Sequence, residues 1–121
     1  MDTRKKIVNP EVAPRACTVV TGTFDVVLSR DAQELAETRA SNPGLPLLVV
    51  VLPLSEELLP QPARAELVAA LRMVDYVVAA DDTALDALLA SLEPAEFVRL
   101  EDDHAVRKRQ LMEHVHRRQT S

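Results

Sequence analysis

Leu47, Leu48, Val49, Val50, Val51 and Leu52 form an unbroken apolar run. A strand with one wet face alternates apolar and polar residues, so such a run needs cover on both faces. A parallel sheet between two layers of helices supplies that cover. Residues 17–21, ending at Gly22, read as a second buried strand. Asp75-Tyr76-Val77-Val78-Ala79 reads as a third, and residues 96–100 as a short fourth.

Helical patterns fall between these strands. In 31–40, Ala32, Leu35 and Ala36 recur at helical spacing, Asp31 with Glu34 suggests a capping box, and Asn42-Pro43-Gly44 ends the helix. Residues 53–62 are a proline-containing loop. The helix at 63–73 has Leu67, Ala70, Leu71 and the following Val74 on one side. That at 83–92 places Leu85, Leu88, Leu89 and Leu92 inward, with Thr83 as the expected N-cap. A long charged helix follows at 102–118. Residues 1–15 look like a lead-in arm, and 16–121 make one domain.

The alternation implies βαβ units with right-handed crossovers, hence an α/β, three-layer, Rossmann-like fold with a parallel sheet of four to five strands. Ligands in such sheets sit at the carboxyl ends of the strands. The loops 22–31, 53–64, 80–83 and 101–104 are expected on that edge.

Composition narrows the function. Aromatic residues are 2% of the chain, which disfavours an aromatic-lined groove or base stacking. The net charge of −5 argues against a nonspecific nucleic-acid binder. The single cysteine, Cys17, starts an apolar run and reads as a core residue. The basic start at Arg4, Lys5 and Lys6 leads to Pro10 and Pro14 rather than an apolar segment, so no secretory leader is expected. The stretch 45–54 is too short to span a bilayer. A soluble cytoplasmic protein without membrane contact is the expectation.

The strand at 17–21 runs into Gly22-Thr23-Phe24-Asp25, which matches a G-x-F-D motif. Within Arg64 to Val78 runs the pattern R-x-E-x-x-A-A-L-x-x-V-D-Y-V, Lys6-Ile7-Val8 resembles a lead-in, and Pro94 to Arg99 looks like a P-D-x-x-V-K strand, with Ala95 and Arg99 at its Asp and Lys positions. The chain therefore resembles the cytidylyltransferase-like nucleotidyltransferases, especially the adenylyltransferase half of bifunctional ADP-heptose synthase. The resemblance covers most of residues 7–103 and implies a nucleotidyltransferase-type fold. It also implies that Thr21, Gly22, Thr23, Phe24, Asp25, Arg30, Arg64 and Arg99 mark a vestigial nucleotide or phosphate site.

The family's H-x-G-H motif is absent. Its positions read Leu28-Ser29-Arg30-Asp31. In the family those histidines donate to phosphates as charge builds in the transition state. Leu28 has no such donor, Asp31 repels phosphate, and Arg30 carries bulk where the backbone should be bare. Arg30 swinging onto a phosphate is the alternative; Ser29 and Asp31 capping a surface helix is the plain one. Arg64 matches an arginine that approaches phosphate, or else is a solvated helix residue. Arg99 keeps the charge of a substrate-phosphate lysine, but Leu100 and Glu101 replace the two glycines that should follow. No catalytic residue is assigned.

His114 and His116 are two apart on a helix and point in different directions, and His104 is remote from them, so all three are expected to be solvated. Asp81-Asp82 and Asp102-Asp103 read as helix-start acids rather than metal ligands. Arg107, Lys108, Arg109, Arg117 and Arg118 complement the dipole of the terminal helix, and a basic face for RNA or an acidic partner is the lesser reading. Ala105, Leu111, Met112 and Val115 offer a docking stripe. The expected function is a catalytically degenerate nucleotidyltransferase-fold protein acting as a binding or assembly module, self-associating as a homodimer. The alternative is a divergent sugar-phosphate adenylyltransferase or cytidylyltransferase using magnesium with ATP or CTP. No other cofactor and no metal site are expected.

Overall fold

A computed structural model of the chain describes residues 2–25 and 29–120, with side chains except at positions 107 and 114–120. Strands β1 (Ala16–Gly22), β2 (Leu47–Val51), β3 (Tyr76–Ala79) and β4 (Glu93–Arg99) form one all-parallel sheet in the order β3-β2-β1-β4. Helices α1 (Ser29–Ser41), α2 (Gln61–Ala69) and α3 (Asp82–Ser91) connect them, and α4 (Glu101–Thr120) follows β4. The fold is three-layered and Rossmann-like. Every residue of β2 is buried, as its uninterrupted apolar run requires.

The chain lays down β1, β2 and β3 in one direction, then returns past β1 to add β4. Right-handed crossovers therefore put α1 and α2 on one face and α3 on the other. The core divides accordingly. Val20, Val49 and Val77 pack with Leu35 and Val68 on one side. Val19, Leu48 and Val50 pack with Leu85 and Leu88 on the other. The reversal between β1 and β4 is a topological switch point, and the crevice beyond the ends of those two strands is the ordinary ligand position of such a sheet.

The arm at 1–15 is docked against the sheet. Ile7 bridges to Val77 in parallel, and Val8 donates its N–H to the Val77 carbonyl at 2.9 Å. The outer side of β3 is thereby partly covered, which protects an otherwise bare edge.

Several local expectations shift. α2 starts at Gln61, because Pro62 is tolerated in a first turn, and ends at Ala69 rather than running to Met73. Its inner side carries Arg64, Ala65, Val68 and Ala69, leaving the expected core residue Leu67 45% exposed. Arg64 takes the inward place because buried carbonyls await it there. The cap of α3 is Asp81, whose carboxylate accepts from Ala84 N–H at 2.7 Å, and Thr83 lies inside the helix. β4 begins three residues earlier than its apolar pattern suggests, at Glu93. Glu93 donates inward to Arg15, so Pro94 turns its missing N–H to the outer edge, where no ladder bond is lost. Among the described residues, no helix is long and apolar enough to cross a membrane.

Candidate functional site: a filled switch-point crevice

Beyond Gly22 the chain leaves β1 through a turn in which Phe24 has φ 51°. A bulky residue rarely adopts that left-handed conformation; burial of the Phe24 ring, completely enclosed, holds it there. The turn aims two successive N–H groups, of Thr23 and Phe24, at a single acceptor. Converging backbone donors of this kind usually receive an anion. Here they receive His104 Nδ1, at 3.2 Å and 3.3 Å. The imidazole meets the Phe24 ring edge-on, with centroids 4.5 Å apart. Both rings crowd Gly22, where a Cβ would lie 2.6 Å from His104 Cε1 and 2.7 Å from Phe24 Cε2. Glycine is required at that position for side-chain approach.

His104 is buried, not solvated as expected from its place on a charged helix. Its Nε2 stands 3.0 Å from Asp31 Oδ1, and Asp31 is fully buried within α1 rather than capping it. Because Nδ1 accepts from two amides, the proton of the neutral ring resides on Nε2 and is donated to the carboxylate. Each polar group is satisfied, which is what makes burial of the pair tolerable. One turn earlier on α4, Glu101 accepts from the hydroxyl of the buried Thr21 at 2.7 Å.

One turn later, Lys108 Nζ is 2.6 Å from Asp25 Oδ2 and also donates to the Glu56 carbonyl. Asp25 further accepts from the N–H groups of Leu58, at 2.8 Å, and Leu59, at 2.9 Å. Burial pushes the Asp25 carboxyl up, but the Lys108 hydrogen bond, the two backbone donors and the Lys108 charge outweigh it and hold it below the usual carboxylate range. Asp25 thus fixes the loop after β2 to the turn after β1.

Arg64 is neither solvated nor reaching toward open space. It is fully buried, and its guanidinium donates to the carbonyls of Thr23 (2.7 Å), Leu52 (2.7 Å) and Leu59 (3.0 Å) and to Glu57 (3.0 Å). A planar fork suits divergent acceptors of this sort. Arg30 extends into solvent and pairs with Glu34 at 3.3 Å on the same helix. Arg99, at the end of β4, lies over the Phe97 ring and pairs with Glu101. Ser29 opens α1 on the exposed side. Leu28 lies outside the described residues, as do the side chains of Arg107, His114, Val115, His116, Arg117 and Arg118.

No family model matches the chain, and neither does any curated protein.

The crevice therefore offers side chains of its own chain where a ligand would sit. Among the described residues, no group of three or more His, Cys, Asp or Glu side chains could hold a metal ion. Concave surface occurs elsewhere. A cleft of about 510 Å³ is lined by Ala36, Arg39, Ala40, Arg72 and Met73, and one of about 580 Å³ lies between the arm and α3. Neither is lined by Gly22, Thr23 or His104.

The residues that fill the crevice are those to which periodicity gave no weight. Glu101, His104 and Lys108 stand three and four apart, on one face of α4. Polar residues at that spacing, directly after a strand that ends beside β1, were the available signal.

Proposed function

We propose that this protein is a nucleotidyltransferase-fold chain without transferase activity, acting as a binding or assembly module. One observation carries the reading: the Thr23 and Phe24 amides, the donors best placed for a phosphate, are directed at His104 Nδ1. The likeness of Gly22 to Asp25 and of Arg64 to Val78 to the family supports the ancestry. The commitment of Arg64 to backbone carbonyls and of Arg30 to Glu34 supports the loss of chemistry. The decisive assay is pyrophosphate release from ATP or CTP with magnesium and candidate sugar phosphates. No turnover above a blank is expected. Robust, metal-dependent turnover that follows the protein through purification sinks the reading and favours a divergent sugar-phosphate nucleotidyltransferase.

The same reading takes the module to be cytoplasmic and to self-associate. Beyond Lys108, α4 exposes Leu111 and Met112, 41% and 52% respectively, on the side that docks lower down. Two copies burying this stripe form a homodimer. Sedimentation at micromolar concentration is expected to give twice the chain mass, and a clean monomer refutes it.

A further inference from the structure

We propose that α4 is latched over the switch-point crevice through one titratable atom, Nδ1 of His104, and that a proton on that atom releases the latch. The inference stands apart from the proposed function, since it needs neither the ancestry nor a partner.

In the sealed state Nδ1 is an acceptor for two N–H groups. A proton there sets an N–H against two N–H donors and turns both attractions into repulsions. The amides are not the part that yields. The Thr23 carbonyl is held by Arg64 at 2.7 Å, and Phe24 is anchored by its enclosed ring. The helix carrying His104 is the part that moves.

Asp31 contacts the ring directly, and other charged groups stand on the elements around it. Asp31 of α1 accepts Nε2–H and favours a charged ring. Asp25, beside Phe24 in the turn after β1, and Glu101 of α4 add negative charge. Lys108 of α4 and Arg64 of α2 oppose it, and these are paired with Asp25 and Glu57. The acid form thus keeps the Asp31 contact and gives up the amides. The first two turns of α4 loosen together, carrying the Thr21–Glu101 and Lys108–Asp25 contacts with them.

The test is amide hydrogen exchange by NMR, expressed as protection factors between pH 8 and pH 4.5, beside nitrogen-15 spectra of the His104 ring in the same samples. At pH 8 the ring is expected as the Nε2–H tautomer. From the pH at which a released imidazole titrates, about 6.5, down to the midpoint of the His104 ring, protection of Thr23 and Phe24 should fall about tenfold per pH unit, because one proton drives opening. Amides of α4 near Lys108 should follow, while Val49 and Val50 stay protected. His104→Asn keeps an acceptor near the Nδ1 position without a titration, and its Thr23 and Phe24 protection should not change with pH over this range. The proposal is overturned by an Nδ1–H tautomer at pH 8, by a ring that stays unprotonated down to pH 4.5, or by protection that does not follow the ring. Should His104→Asn fail to fold, the wild-type ring and amide midpoints decide alone: coincident midpoints support the latch and separate ones refute it.

Discussion

The peptide unit joining Thr23 and Phe24 is gripped from both sides: the Thr23 carbonyl accepts from Arg64 at 2.7 Å, and the Phe24 N–H donates to His104 at 3.3 Å. Two helices on either side of the turn thereby fix one peptide plane. The left-handed Phe24 follows directly, so the turn is over-determined in the way that a strained conformation requires.

Arg64→Lys should behave as a disruptive substitution. An ammonium cannot reach three carbonyls and Glu57 together, and it leaves buried acceptors without partners. A loss of about 3–5 kcal/mol in urea unfolding is expected, in keeping with breaking a buried charge network. An Arg64 that served only a bound phosphate would instead leave unfolding unchanged.

Gly22→Ala tests the crowding at the crevice. The added methyl meets two packed rings rather than flexible chain ends. Overpacking of this kind costs about 1–3 kcal/mol. The displaced ring is His104, so faster exchange of the Thr23 and Phe24 amides should accompany the loss. Unaltered exchange with unaltered stability contradicts the geometry.

How far the sequence discloses this architecture depends on the kind of signal. The buried run at 47–52 and the spacing of Leu85 and Leu88 encode their own positions, because burial is written in local pattern. Cys17 was legible for the same reason: it is buried, and burial pushes its thiol up, as suits an inert core residue. Arg64 and His104 were not legible. Each is a polar residue whose environment is set by atoms far along the chain, and no local period reports a distant carbonyl or amide. The left-handed turn at Phe24 was hidden too, since an aromatic residue gives no sign of positive φ.

Acid should weaken the fold in a defined window. Asp25 and Asp75 both titrate below their ordinary value. In Asp75 burial raises the carboxyl, but the Arg39 hydrogen bond, the Leu47 N–H and the charges of Arg39 and Lys6 outweigh it. Groups lowered on folding stabilise fully above their unfolded value, about 3.9, and lose that contribution as pH falls through the folded value. Urea midpoints should therefore drop steeply below about pH 4, and Asp25→Asn should flatten part of that drop. An unchanged slope in the variant rules out Asp25 as a contributor.

Thr18→Val should stabilise the protein. Thr18 is 1% exposed, and its hydroxyl has no hydrogen-bond partner among the described residues. It lies where the β1–β4 register shifts, between Cys17 and Thr18. Removing an unsatisfied buried hydroxyl with little change of shape should gain about 1 kcal/mol. A higher thermal midpoint is the readout, and a lower one shows that the hydroxyl has a partner.

The contacts that close the crevice join residues 80 or 81 positions apart, from Thr21 to Glu101 and from Thr23 and Phe24 to His104. Local pairing cannot bring them together, and contacts of such long range come late in folding. During synthesis β1 leaves the ribosome long before α4 exists. Throughout that interval Thr23 and Phe24 have only water for their amides, and Asp31 has no imidazole to meet. The nascent chain therefore passes through a stage in which the turn is bare, and whatever assists its maturation meets a surface that the sealed protein does not show.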